Sequence, residues 1–200
     1  MATRSQKSSE ARELTLTERA RRSQLVEVTV ELVADRGYAD ASLAAIAERA
    51  GITKAAVLYH FESKAALVRA AHEHVLAQLV AGVVAAIEAV DAEGAPAAYI
   101  RAMIGHFREH PRHTRMIIEA MTNGEGDYDP ADRWRPLADL LGAAAHAIET
   151  NNTDLERRTL AIIIGGAIDA IVAEQLTDPG YDTAAAADRL VDLVYANRRA

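Results

Sequence analysis

Two apolar-periodic runs separated by a single glycine, within SLAAIAERAGITKAAVLYHFESKAAL at residues 42–67, constrain this chain more than any other feature. Leu43, Ile46, Ala47 and Ala50 recur at helical spacing, which gives the first run one apolar face and leaves Glu48 and Arg49 to water. Ser42 stands where an N-cap is needed. Gly51 follows the last periodic residue, where a helix commonly ends on a left-handed residue that glycine adopts cheaply. The spacing therefore predicts that the helix stops there. Ile52 plugs the turn, Thr53 caps a second helix over Lys54 to Phe61, and Ser63 caps a third with Lys64 in its first turn. On the second helix Val57, Leu58 and Phe61 are expected to share the buried face, leaving Thr53, Ala56 and His60 on the other and Tyr59 at its flank. A cation in the first turn opposes the helix dipole, so Lys64 points to a partner outside the chain.

A helix, a glycine turn and a second short helix make the helix-turn-helix plan, whose second helix enters the DNA major groove with its N-terminal residues on the base edges. Those residues are Thr53, Lys54, Ala55 and Ala56. Lys54 can donate to guanine O6 and N7, and the two alanines allow close approach or meet a thymine methyl. Tyr59, His60 and Lys64 suit phosphate contacts. The same spacing also fits a helical hairpin in an ordinary bundle, with Tyr59 a core aromatic and Lys64 a solvated charge.

The run GITKAAVLYHFESKAAL resembles the signature of TetR-family transcriptional regulators, in which a Gly-apolar-Ser/Thr-Lys segment leads into an aromatic pair, a Phe, and a Ser-Lys opening the fourth helix. Upstream, ELVADRGYADASLAAIAERAG resembles the end of the family's first helix and all of its second. The resemblance implies an all-α fold: an N-terminal three-helix DNA-binding domain with the helix-turn-helix, then a C-terminal helical domain for ligand binding and dimerisation. It places Ser42, Thr53, Lys54, Tyr59, His60 and Lys64 at the DNA. Leu58 departs from the pattern, standing where many members carry a phosphate-contacting tyrosine, so Tyr59 and His60 must carry more of the backbone contact.

Composition agrees with a helical chain: alanine dominates, half of the residues are apolar, and the five prolines fall at or outside expected helix ends. A net charge of −7 argues at first against DNA binding. Its distribution answers this, because residues 1–67 hold ten Lys/Arg against nine Asp/Glu, while residues 68–200 hold twelve against twenty. The absence of cysteine excludes disulfides and thiolate metal sites and fits a reducing compartment. No N-terminal apolar run follows the early basic residues, and no stretch of eighteen apolar residues occurs. The expectation is a soluble, cytoplasmic protein without a membrane partner.

Three segments are expected: a flexible basic arm at 1–15 with Arg4, Lys7 and Arg12, a helix-turn-helix domain at 16–62, and an effector-binding and dimerisation domain at 63–200. The first helix reads from Leu16 to Arg36 with Gly37 as its stop, and Arg19, Arg21 and Arg22 near its start lie by phosphates or in solvent. The fourth runs from Ser63 to about Val90. Helices over Pro96 to His110 and Pro111 to about Thr122 follow. An acidic, turn-rich loop at 123–130 then leads to a helix over Pro130 to Thr150 carrying Trp134. Thr153 to Leu176 is the most apolar helix, and Thr183 to Arg198 the last.

Leu160, Ile163, Ile164, Ala167, Ile168, Ile171 and Val172 form a stripe too wide for one contact, while Gly165, Gly166 and Ala170 thin the same helix for a close neighbour. The family's last two long helices pair with their symmetry mates, so the resemblance implies a homodimer through Ile164, Ile168, Ile171, Leu190 and Val194. Stripes used up within one subunit are the alternative. The resemblance also implies a small-molecule effector pocket. Met103, His106, Phe107, Met116, Met121 and Trp134, the large residues of an alanine-rich region, are the candidate lining, although such residues also suit a plain core. His106 and His110 are one turn apart, with His113, Glu109 and Glu119 close in sequence, yet no supporting metal motif accompanies them. The expectation is no metal and no cofactor. No nucleophile, acid and base set and no phosphate loop appears, and the resemblance implies a regulator of transcription, a repressor that binds a palindromic double-stranded DNA operator and is released by ligand. A helical-bundle metalloenzyme using His106 and His110, and a DNA-binding protein without an effector, are the alternatives.

Overall fold

A computed structural model describes residues 15–123, 131, 134–148 and 153–196. The arm residues Arg4, Lys7 and Arg12, and residues 124–130 of the acidic loop, lie outside the described residues. The rest is helical: α1 (Leu16–Asp40), α2 (Leu43–Arg49), α3 (Lys54–His60), α4 (Lys64–Glu88), α5 (Ala95–Glu109), α6 (Pro111–Thr122), α7 (Arg135–Ala147), α8 (Asp154–Thr177) and α9 (Thr183–Ala196).

Local chemistry sets most of these boundaries. Thr15 and Glu18 close a capping box at the start of α1, and Thr153 and Glu156 do the same for α8. Ser42, Thr53 and Ser63 each accept a bond from the backbone N–H three residues on, opening α2, α3 and α4. Prolines sit in the first turns of α5, α6 and α7, where a missing N–H costs no helical bond. Gly37, at φ 81°, breaks the helical path inside α1, and Gly51, at φ 67°, turns α2 into α3. Both glycines act where the sequence places them. The seventh helix is shorter than expected, beginning at Arg135 with Trp134 as its N-cap.

Two apolar clusters organise these helices. The first joins Leu25, Val30 and Val33 of α1, Ile46 and Ala47 of α2, Val57 of α3, Phe61 just beyond it, and Leu67, Val68, Ala71 and Val75 of α4. The second joins Ile100 and Ile104 of α5, Leu137 and Leu141 of α7, Ala161, Ile164, Ile168 and Val172 of α8, and Val191 of α9. Full burial of one such aliphatic side chain stabilises by about 1.5 to 3 kcal/mol. Each cluster is thus a core in its own right. Helix α4, about 37 Å long at 1.5 Å per residue, contributes its first half to the head cluster and packs along α5 with Leu79 and Val83 buried.

Three expectations are corrected by this packing. Met116, fully buried, and Ala120 belong to the head core, with Ile117 packed against it, so the head core extends well past residue 62 into α6. Ile164 and Ile168, expected at a subunit interface, are buried inside the body of one subunit because they share a face of α8 with Ala161 and Val172. Leu58, expected inside with Val57, is 41% exposed. One residue of helix turns the side chain by about 100°, so Val57 and Phe61 can face α1 together only by sending Leu58 outward.

By length and composition α4 and α8 would each suffice to cross a bilayer. Each instead sends a stripe of residues into one of the cores.

Candidate nucleic-acid interface

Helix α3 is held from behind and open in front. Val57 is fully buried and Phe61 nearly so, while Thr53, Lys54 and Ala55 at its N-terminal end are exposed and Ala56 is half-buried. The Thr53 hydroxyl accepts from the Ala56 N–H at 3.1 Å and keeps its own hydrogen for a partner in front of the helix. Ser42 is exposed with its oxygen capping α2 at Ala45 N. Helix α3 therefore presents a small, polar, cationic end bounded by two capping hydroxyls.

The far end of α3 is fixed by α1. A guanidinium nitrogen of Arg22 donates to the His60 carbonyl, one of the acceptors a helix C-terminus leaves unpaired, and the group lies 4.0 Å from the Phe61 ring centroid. Arg22 thus serves an internal role where a phosphate or solvent was expected. Tyr59 is 67% exposed, donates its hydroxyl to Glu18 Oε1 at 3.2 Å, and meets His60 edge to face at 5.1 Å. Lys64 is half-buried and turned inward. Its ammonium donates to the carbonyls of Tyr38 and, at 3.2 Å, Ala39, and sits 4.2 Å from the Tyr38 ring centroid. The cation that seemed misplaced at a helix N-terminus has carbonyl partners within the chain.

Helix α6 docks on the head from the body side. Arg112 forms two bonds of 3.2 Å to the Asp35 carboxylate and lies 3.8 Å from Glu31, which also accepts from Arg49 at 3.1 Å. Glu119 Oε2 accepts the Tyr38 N–H at 2.8 Å. Exposed ion pairs contribute about 0 to 1 kcal/mol each, less than one buried side chain, so Met116 carries most of the docking energy and the polar contacts set its register.

The six candidate effector residues do not gather around one space. Met103, Phe107 and Trp134 pack against the body cluster, Met116 belongs to the head core, and Met121 is 47% exposed. The Trp134 ring is covered by the Arg158 guanidinium at 4.8 Å. His106 turns to His113, Nε2 to Nδ1 at 2.9 Å, and His110 stacks on His113 with planes 16° apart. Burial pushes His113 down to about 4, with His106, His110 and His74 adding to the shift. His106 is lowered by burial and by His110, against Glu109. The His106 and His110 rings lie 4.8 Å apart, tilted by 46°, and the described residues hold no group of three or more His, Cys, Asp or Glu side chains that could hold a metal ion. A metalloenzyme centre finds no support there.

The expected dimer residues divide. Ile164 and Ile168 are internal, and Ile171, Leu190 and Val194 pack against the body cluster. The face left open carries Leu155, Ile162 and Ile163 on α8 and Leu193 on α9. The sequence reading missed Arg22 as a clamp and Glu119 as a head contact. Nothing in the local pattern signals either, since their partners are 38 and 81 residues away.

A three-helix head ending in an exposed helix-turn-helix is joined through a long helix to a helical body. Residues 25–71 match the family model described as bacterial regulatory proteins, tetR family. The likeness to the tetR family lies in that stretch, the head of the chain. An HTH-type transcriptional regulator BetI from Ectopseudomonas mendocina is 42% identical over 88 residues, a match that spans 44% of this chain and 44% of that relative's length. The fold is shared with a TetR-like transcriptional regulator from Rhodococcus sp. RHA1, with a TM-score of 0.73 and 22% identity over 94% of this chain and 99% of that one. A putative transcriptional regulator from Saccharomonospora viridis, solved in complex with choline, gives 0.71 and 19% over 90% and 97%. All three of these proteins are described as transcriptional regulators.

Proposed function

We propose that the protein is a ligand-released repressor that binds a palindromic operator as a homodimer in the cytoplasm. The observation that carries this reading is the outward N-terminal end of α3, where Thr53, Lys54, Ala55 and Ala56 form a low, cationic surface behind which Val57 and Phe61 are locked into the head core. Lys54 reads a guanine, the alanines admit close approach, and Ser42, Tyr59 and His60 meet phosphates on either side. Tyr59 exchanges its bond to Glu18 for one to a phosphate. The exposed Leu58 adds an apolar contact to sugar where a hydroxyl would have reached the backbone.

A dimer is supported by the unused apolar face of α8 and α9. Ile162, Ile163 and Leu193 are all exposed, and among the described residues no neighbouring element comes within 4 Å of a Cβ placed on Gly165 or Gly166. Those glycines leave room for a partner helix. Two heads related by a two-fold axis then require half-sites about one helical turn apart. The effector meets the body at Met103, Phe107 and Trp134, the three candidates that share its core. Release follows only if the effector prefers the conformation that misfits the operator.

Footprinting on the DNA flanking the protein's own gene tests this reading. Two protected half-sites about 10 base pairs apart, centre to centre, are expected. Uniform protection that disappears in moderate salt would refute sequence-specific repression.

A further inference from the structure

The Gly37–Ala39 turn, which carries α1 into α2 and thereby sets where α3 lies, is gripped from two sides. On one side the Glu119 carboxylate of α6 accepts the Tyr38 N–H at 2.8 Å and lies 3.8 Å from where a Cβ would stand on Gly37. On the other, the Lys64 ammonium of α4 takes the Tyr38 and Ala39 carbonyls and covers the Tyr38 ring. Both faces of the Tyr38 residue's backbone are thus held by side chains from helices outside the helix-turn-helix. Gly37 is in the left-handed region at φ 81°, so the turn depends on external contacts more than a helical segment would.

We propose that Glu119 and Lys64 are positioning residues for operator recognition, clamping the Tyr38 peptide so that α2 and α3 hold the pose that fits the groove. This rests on the DNA-binding reading above. It assigns Lys64 to the chain's own carbonyls instead of a phosphate, and it gives an acidic residue outside the helix-turn-helix a favourable role in binding a polyanion. Charge alone predicts the opposite for Glu119, since removing a carboxylate should tighten DNA binding. Met116, buried in the head core, keeps α6 on the head when Glu119 is changed, and the Arg112 to Asp35 pair holds its register.

The test uses the full chain, a duplex enriched by the wild type from a random-sequence library, and an unrelated duplex of equal length. Glu119→Ala should weaken the selected duplex about tenfold, within the range of ordinary coupling between sites, and leave the unrelated duplex unchanged. Glu119→Gln, which keeps an acceptor, should recover part of the loss. Lys64→Gln should weaken the selected duplex while leaving the slope of log affinity against log salt unaltered. A phosphate contact would instead reduce that slope by about 0.9 per lysine lost. Far-UV circular dichroism separates misfolding from mispositioning, and if Glu119→Ala unfolds, Glu119→Gln decides. Exchange of the Tyr38 amide, measured in the wild type without DNA, should be slow, and it should quicken in Glu119→Ala. The proposal is overturned if Glu119→Ala, folded, binds the selected duplex as tightly as wild type or tighter, if the Lys64→Gln slope falls as for a phosphate contact, or if the Tyr38 amide exchanges freely. A wild type that enriches no duplex would instead refute the DNA-binding reading, and the exchange arm would still decide the clamp.

Discussion

Met116 and Met121 lie five residues apart on α6, and the fold gives them opposite surroundings. Met116 has no exposed surface and sits among α1 and α4 residues of the head core, whereas Met121 is 47% exposed. Truncating a buried methionine to alanine costs about 2 to 5 kcal/mol, from lost transfer energy and the cavity left behind. At about 3 kcal/mol, and about 2 to 4 °C per kcal/mol for a chain of this size, Met116→Ala should melt roughly 6 to 12 °C below wild type. Met121→Ala should stay within about 0.5 kcal/mol, because surface changes away from special features rarely exceed that. The assay is thermal melting followed by far-UV circular dichroism and by the fluorescence of Trp134, the single tryptophan, which packs on the body core. In Met116→Ala the helical signal should begin to fall before the tryptophan signal moves, since the damaged core is the head. Equal losses in the two variants, or a Met116→Ala melt within a degree or two of wild type, would refute the placement of α6 in the head.

Two further outcomes follow from the body. Ile163→Asp, at an α8 position 61% exposed in the single subunit, should give a folded monomer by sedimentation, whereas Ile168→Asp, in the subunit core, should abolish cooperative melting; a folded dimer carrying Ile163→Asp would remove α8 from the interface. The histidine cluster predicts acid lability: His113 falls from 6.5 unfolded to about 4 folded, so the neutral form is favoured by folding, and its contribution is complete above about 6.5 and lost as pH drops from there to about 4. His113→Gln should therefore melt with a weaker pH dependence across that window than wild type, and identical pH profiles would contradict it.

The features of the fold legible in the sequence are those decided within a few residues. Ser42, Thr53 and Ser63 cap as their spacing requires, and Gly37 and Gly51 turn the chain where periodic runs end. The apolar width of α8 was also legible, but a stripe read along one helix does not say which edge faces inward. Ile164 and Ile168 went inside, and Ile163, one residue away, stayed out. Met116 poses the same problem between two cores, because α6 touches both head and body and helical period cannot choose between them. Lys64 illustrates the limit most clearly. Its position at a helix N-terminus pointed to a partner outside the chain, but the oxygens it meets are carbonyls of residues 25 and 26 positions upstream.

Selection of duplexes from a random library by the wild type and by Lys54→Ala tests the central claim, that the exposed end of α3 reads base sequence. Lys54 is exposed in the first turn of a helix whose inner face is locked, and no other candidate base contact is cationic. The wild type should enrich an inverted repeat, and Lys54→Ala should relax the preference at one base pair of each half-site by about 1 to 3 kcal/mol while keeping the spacing. An identical motif enriched by both proteins, or no motif enriched by the wild type, would contradict it.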